Sequence, residues 1–183
     1  MKDYILKQCD YHAWANTRLF NRLKELPNYE TIFKEQIQSV FPSIKDTFAH
    51  IYITDQVWLH ILHGRSMSEA IQDREKLKKQ IDTKSLNELE EMFLNIANQY
   101  KEFLSTQQDV HAEFVIKNPY AGTLHTSILE LVQHVVNHGT YHRGNITAMI
   151  RQLGHSSTMM DFVLYLHMIQ KKGSNIVCKK ERL

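Results

Sequence analysis

The sequence has few of the residues that interrupt helices. Its 183 residues include 6 glycines and 3 prolines, a composition that favours long helices over an architecture of strands and turns. The 2 cysteines, Cys9 and Cys178, lie near opposite ends of the chain. This arrangement excludes a disulfide framework and a Cys-x-x-Cys site, so we expect a reducing, cytoplasmic compartment.

Long apolar runs and a strong net charge are also missing. No segment approaches the roughly 18 uninterrupted apolar residues of a membrane-spanning helix, and the first residues show no apolar signal segment. The formal net charge of +2 is too small to indicate binding to nucleic acid or to a membrane surface. Hydrophobic residues make up 43% of the chain, which predicts one globular domain over residues 1–183.

Apolar residues at steps of three and four predict four long helices in an all-α fold. Pro27 follows the first helix and Gly64 follows the second, as expected of residues that end helices. We place Pro42 in the first turn of the second helix. Ser85 and Glu88 form a capping-box pattern at the start of the third. The predicted helices cover residues 2–26, 42–63, 85–104 and 126–153.

The segments between the first three helices are predicted as connections. Residues 28–40 have no sustained apolar stripe, and we expect one helical turn near residues 34–39. Residues 65–84 are polar and rich in charge, which predicts a solvated connection.

The pattern changes before and after the fourth helix. Residues 110–122 combine short β-prone stretches with turn residues and predict a hairpin-like excursion. Thr123 or Thr126 then caps the fourth helix. Residues 161–170 predict a short C-terminal helix, and residues 171–183 a basic, freely solvated tail. The chain is therefore predicted to form a four-helix bundle with a hairpin-like excursion and a short final helix.

The fourth helix carries histidines at a spacing of four, namely His134, His138 and His142. Neighbours in this series lie on one helix face and can bind one metal ion together. His134 and His142 are about 12 Å apart along the axis, so the helix supplies two ligands and not three. No carboxylate lies between His138 and His142, which excludes the His-Glu-x-x-His peptidase pattern.

A third ligand has to come from another helix. Helices of similar length in a bundle match in depth, and His12 and His50 both lie near the middle of their helices. Depth does not choose between them. Asp55, on the apolar stripe of the second helix, is predicted to be a buried carboxylate that is hydrogen-bonded to a neighbouring helix.

Three stretches of the chain resemble the DinB family of bacterial damage-inducible proteins, and the resemblance extends to about Tyr165. They read Tyr11-His12-Ala13-Trp14-Ala15-Asn16, then Phe41-Pro42-Ser43-Ile44 with His50-Ile51 and Trp58-Leu59, then His134-Val135-Val136-Asn137-His138-Gly139-Thr140-Tyr141-His142-Arg143-Gly144. The Asn-His-x-x-x-His-Arg-Gly core is far more specific than a histidine pair alone.

The resemblance implies a four-helix bundle that is usually a homodimer. It also implies a divalent metal held by one histidine of helix two and two of helix four, which are His50, His138 and His142 here. By the same resemblance His134 lies beside the site, and His12 is a packed histidine of the first helix. Zn²⁺ suits three imidazoles best, and Ni²⁺ is an alternative.

Three neutral ligands leave the metal an open position, as in catalytic sites. Related bundles include thiol S-transferases that use bacillithiol or mycothiol. The resemblance therefore implies a metal-dependent enzyme that activates a low-molecular-weight thiol, or water as in a hydrolase. Asp55, Tyr141 and Arg143 are candidate assisting groups, and Arg143 alternatively forms a salt bridge at a dimer contact or bundle end.

A second hypothesis is a non-catalytic metal-binding protein of the stress or DNA-damage response. In that case the ion stabilises the fold, because it binds only the folded chain. Direct binding of DNA is not expected, since the chain is nearly neutral and has no basic recognition helix.

Overall fold

The computed structural model describes the backbone of residues 1–180 and the side chains of residues 1–171. The described residues form seven helices and one antiparallel pair of strands, so the fold is mostly helical, as predicted. The elements are α1 (Lys2–Lys24), α2 (Tyr29–Lys34), α3 (Ile44–Leu62), α4 (Met67–Asp82), α5 (Leu86–Thr106), β1 (Glu113–Asn118), β2 (Gly122–Ser127), α6 (Ile128–Gln152) and α7 (Phe162–Lys180).

The long helices pack around a shared apolar core. Helix α1 contacts α5 and α6, and α3 contacts the same two helices and also α4. Phe20 of α1 stacks on Phe48 of α3 with 4.2 Å between ring centroids, and Phe93 of α5 meets both rings edge-on at 5.3 and 5.7 Å. This packing brings α3 and α6 side by side, so histidines on their facing sides can meet.

Helix α3 begins two residues later than predicted. Ser43 is the N-cap, and its Oγ accepts the backbone N–H of Asp46 at 3.0 Å. Pro42 therefore precedes the cap, and its predicted place in the first helical turn is wrong. At the other end Gly64 has φ +90°, the left-handed conformation in which glycine commonly ends helices.

Helix α6 is capped by Ser127, whose Oγ accepts the backbone N–H of Glu130 at 3.3 Å. The predicted caps Thr123 and Thr126 are wrong. Both residues lie in β2, where their extended backbone pairs with β1. The predicted hairpin is confirmed, and its second strand leads directly into the helix that carries the histidines.

The prediction of a connection over residues 65–84 is wrong, because this segment forms the 16-residue helix α4. Ser66 and Glu69 form a capping box at its start. Met67, Ala70 and Ile81 are its buried side chains. So narrow an apolar stripe is easily hidden by a run of charged residues, although the Ser-x-x-Glu cap is readable in the sequence.

Helix α2 lies earlier than the helical turn predicted near residues 34–39. Its anchor is Phe33, which is fully buried beside Phe48 with 6.5 Å between ring centroids. Ile32 is the other buried residue of this helix, and so short a segment gives no periodic signal that would reveal it.

Helix α7 is longer than the predicted segment 161–170, because it continues to Lys180. Residues 181–183 of the predicted tail lie outside the described part of the chain. No helix in the described residues is both long and apolar enough to cross a bilayer.

Candidate metal centre

Three histidine rings meet where α3 packs against α6. His138 and His142 are one turn apart on α6, and His50 faces them from α3. The ring centroid of His50 lies 4.8 Å from that of His138 and 4.5 Å from that of His142. The ring centroids of His138 and His142 are 4.5 Å apart. One ligand atom of each ring lies within 4.8 Å of the others, so these residues could hold a metal ion.

The nitrogen positions allow a test of this fit. Nε2 of His50 and Nε2 of His138 are 2.9 Å apart. Two ligands bound at 2.0–2.1 Å around a tetrahedral Zn²⁺ have nitrogens about 3.3 Å apart. An increase of a few tenths of an ångström in the distance between the two nitrogens would therefore admit the ion. The all-imidazole donor set suits Zn²⁺, Ni²⁺ and similar cations.

The three imidazoles are neutral at neutral pH. Burial, with the neighbouring charges of His142 and Arg74, lowers the pKa of His50 to about 4. Burial and the adjacent histidines lower the pKa of His138 to about 3, and burial also lowers the pKa of His142. Metal binding requires neutral imidazole, so this environment keeps the lone pairs available for a cation.

Two aromatic residues contact the histidine cluster. The ring of Phe41, in the loop before α3, lies 4.6 Å from His50 and 5.5 Å from His142. Tyr141 is 63% exposed, and its ring meets His142 at 4.9 Å. Tyr141 is a predicted candidate and lies on the solvent side of the cluster. The contacts of Phe41 were not predicted, because its sequence context indicates only the start of a helix.

His134 lies one turn before His138 and outside the group of three. Its ring is 6.1 Å from His138 and packs edge-on against Trp58 at 4.9 Å. The structure therefore places His134 beside the cluster and not within it, as the resemblance implies.

His12, Asp55 and Arg143 form a separate buried network. Nε2 of His12 is 3.1 Å from Oδ2 of Asp55, and Nη1 of Arg143 is 3.1 Å from Nδ1 of His12. A guanidinium can only donate hydrogen bonds. His12 Nδ1 is therefore the acceptor, and its Nε2–H donates to Asp55. The prediction of a buried Asp55 bonded to a neighbouring helix is confirmed, since Asp55 is buried and His12 belongs to α1.

Arg143 is 1% exposed, which contradicts its placement at a dimer contact or bundle end. It also donates hydrogen bonds to Asn16 at 3.1 Å and to Thr140 at 2.8 Å, and its guanidinium lies 5.7 Å from the Tyr11 ring centroid. The reason is geometric. Consecutive helix residues point about 100° apart, so the residue after His142 turns away from the cluster and towards α1.

Gly139 permits this close packing of α1 on α6. A Cβ added at this position would overlap the imidazole of His12 and lie 2.7 Å from Nη1 of Arg143. Glycine is the residue that allows such an approach to a helix backbone. In the sequence Gly139 indicated only that no carboxylate follows His138, and its packing role was not predicted.

Comparison with known proteins agrees with this geometry. Residues 1–173 match the DinB family. The chain is 45% identical over 168 residues to Protein DinB of Bacillus subtilis (strain 168), and the match covers 92% of this chain and 96% of that protein. The alignment thus includes the helices that carry the histidines, and this chain belongs to the DinB family.

Proposed function

We propose that this protein binds a divalent cation through His50, His138 and His142 and catalyses a metal-dependent reaction of a low-molecular-weight thiol. The observation that carries the proposal is the convergence of three neutral imidazoles, with one ligand atom from each within 4.8 Å of the others. Zn²⁺ is the proposed ion and Ni²⁺ the alternative, because both accept an all-imidazole ligand set.

The proposal includes a four-helix bundle of α1, α3, α5 and α6. Its support is the pattern of contacts, in which α1 and α3 each pack against both α5 and α6. Sites in such bundles are built from side chains on facing helices. A homodimer and a cytoplasmic location are also part of the proposal, and both rest on the resemblance and composition discussed above.

The reaction we propose is transfer of a thiol sulfur to an electrophilic carbon. The S–H bond breaks, an S–C bond forms, and the leaving group departs with the electron pair of its bond to carbon and takes up the proton. A bound divalent cation with an open position would supply the acidity that converts a thiol to a thiolate at neutral pH. The three neutral imidazoles add no negative charge and so favour an anionic sulfur beside them.

The surrounding side chains have distinct places in this proposal. Phe41 packs against His50 and His142, and we assign to it the exclusion of water from that side of the cluster. Tyr141 is exposed beside His142, and we assign it to contact with the substrate. Asp55 and Arg143 bond to His12 and are buried. They therefore position α1 against the ligand-bearing helices and do not contact the substrate.

The test compares His142→Ala with a matched control, His134→Ala, which alters a histidine of the same helix outside the group of three. Purified proteins are dialysed against Zn²⁺ and analysed for metal content, helix content by circular dichroism, and S-transfer from a panel of thiols to electrophiles. We expect His142→Ala to lose bound metal and turnover and to retain its helix content. The control should keep all three properties.

The proposal of a metal-dependent enzyme would be contradicted if the wild type bound no metal, or if the wild type and His142→Ala had equal turnover. The non-catalytic alternative has support in the same geometry, because an ion between His50 and the two histidines of α6 would link α3 to α6. It is favoured if metal binds stoichiometrically, no thiol is turned over, and chelation unfolds the protein.

A further inference from the structure

A groove between α3 and α4 borders the histidine cluster. Its volume is about 620 Å³, within the range of roughly 300–1,000 Å³ that is typical of small-molecule sites. His50 and Phe41 belong to its wall. A molecule at this end of the groove can therefore contact one of the three clustered histidines and the aromatic ring that packs on another.

The charged side chains of this groove are of two kinds. Nζ of Lys78 is 3.3 Å from Oδ1 of Asp46 and 3.5 Å from Oδ1 of Asp82, so Lys78 and Asp46 already have charged partners. Arg74 and Glu75 are exposed in the groove wall and have no hydrogen-bond or ion-pair partner among the described residues. No ion pair joins these two side chains, although both belong to the wall of the same groove.

The free charge of Arg74 lies in the same groove as one histidine of the cluster. Arg74 and His50 both belong to its wall, Arg74 on α4 and His50 on α3. The groove therefore presents a free cation near the cluster and a free carboxylate next to it in the chain.

These unpaired charges select among small ligands. A simple anion would gain from Arg74 and be repelled by Glu75, and a simple cation would experience the reverse. We propose that the groove binds a small zwitterion whose carboxylate contacts Arg74 and whose ammonium group contacts Glu75. Taken with the proposed function, on which this part rests, the substrate is a thiol of the amino-acid type that carries both groups.

The test uses Zn²⁺-loaded protein and measures binding of three thiols by calorimetry. L-cysteine carries both charged groups, 3-mercaptopropionate only the carboxylate, and cysteamine only the ammonium. We expect L-cysteine to bind most tightly. Arg74→Gln should weaken L-cysteine and 3-mercaptopropionate about fivefold, the upper range for an exposed ion pair, and leave cysteamine no weaker.

Glu75→Gln should have the complementary pattern. It should weaken L-cysteine and cysteamine about fivefold and strengthen 3-mercaptopropionate, because a repulsive charge is removed. The control is Lys76→Gln, which removes an exposed charge of the same helix outside the groove wall and should change none of the three affinities. Each altered side chain is exposed, so the variants should fold.

A fourth ligand separates failure of this inference from failure of the proposed function. L-serine has the same zwitterionic groups without a thiol, and its binding to metal-free protein is followed through the Arg74 side-chain NMR signals. If L-serine shifts these signals and L-cysteine binds no more tightly with Zn²⁺ than without it, the thiol function is wrong and the zwitterion site stands. If all three thiols bind equally well to wild type and Arg74→Gln, the zwitterion site is wrong and the thiol function stands. If L-serine and all thiols fail to bind, both are wrong.

Discussion

Arg143 and Asp55 are oppositely charged, buried and separated by one imidazole. His12 accepts a hydrogen bond from Arg143 and donates one to Asp55, so the two charges balance each other through its ring. The sequence marks Asp55 as unusual, because it lies on an apolar stripe, and Arg143 as a candidate assisting group. It does not reveal their connection, because that depends on α1 packing against both α3 and α6.

We predict that Arg143→Met destabilises the protein by about 3 kcal/mol, since removing one member of a buried charged network leaves the other without compensation. The matched control is Arg151→Met, at an exposed position in the last turn of the same helix. Its cost should stay below about 1 kcal/mol. Urea denaturation of both variants measures the difference. Equal losses in the free energy of unfolding would show that the buried network contributes no more stability than an exposed surface charge.

The lowered pKa values of His50 and His138 predict how stability depends on pH. In the folded protein these values are about 4 and about 3, against about 6.5 for histidine in an unfolded chain. Below pH 6.5 the unfolded chain therefore takes up protons that the folded protein does not, and acid favours unfolding. The free energy of unfolding of metal-free protein should fall from about pH 6.5 towards pH 4.

Denaturation in a chelator at a series of pH values measures this dependence. His50→Gln removes one of the titrating groups and should make the slope between pH 6.5 and pH 4 shallower. A slope unchanged by the substitution would contradict the attribution of this pH dependence to the lowered pKa of His50.

Among the elements, α4 shows what limits reading the fold from the sequence. Broad apolar stripes locate α1, α3, α5 and α6, and turn residues locate the hairpin. Helix α4 has only a narrow buried stripe, from Met67 to Ile81, and its many charges resemble those of a solvated loop. The Ser66–Glu69 cap was the available signal. The error matters for function because α4 forms one wall of the groove beside His50.

We predict that Ser66→Ala costs about 1 kcal/mol, because it removes the N-cap acceptor for the backbone N–H of Glu69. Hydrogen exchange should become faster in α4 and stay unchanged in α6. Ser68→Ala, at an exposed position in the first turn of the same helix, is the control and should be nearly neutral or slightly stabilising. Equal exchange in both variants would mean that the cap does not hold α4.

At the scale of the whole molecule, the cluster joins residues that are distant in the chain. His50 and His138 are separated by 88 positions. The spacing on α6 identifies His138 and His142 as a pair, but depth in the bundle left His12 and His50 as equal partners. The structure separates them, because His12 faces Asp55 and Arg143. Which side of a helix faces which neighbour follows from packing, and periodicity alone does not give it.

A cation that links α3 to α6 should stabilise the whole fold. At a free Zn²⁺ concentration about 100 times the dissociation constant, mass action predicts a gain of about 2.7 kcal/mol. Thermal unfolding with and without Zn²⁺ measures the shift, which a chelator should reverse. Mg²⁺ prefers oxygen ligands and should have little effect. A similar Zn²⁺ response in His138→Ala would show that the ion binds elsewhere.

The space left free at Gly139 has a consequence for interpreting mutations. Alanine is ordinarily the most favourable residue within a helix, yet here its methyl group would collide with His12 and Arg143. In a survey of random substitutions scored for Zn²⁺ binding, this position should therefore be as intolerant as His138 and His142. Tolerance scores alone would assign Gly139 to the candidate metal centre, whereas its contribution is the space in which α1 packs against α6.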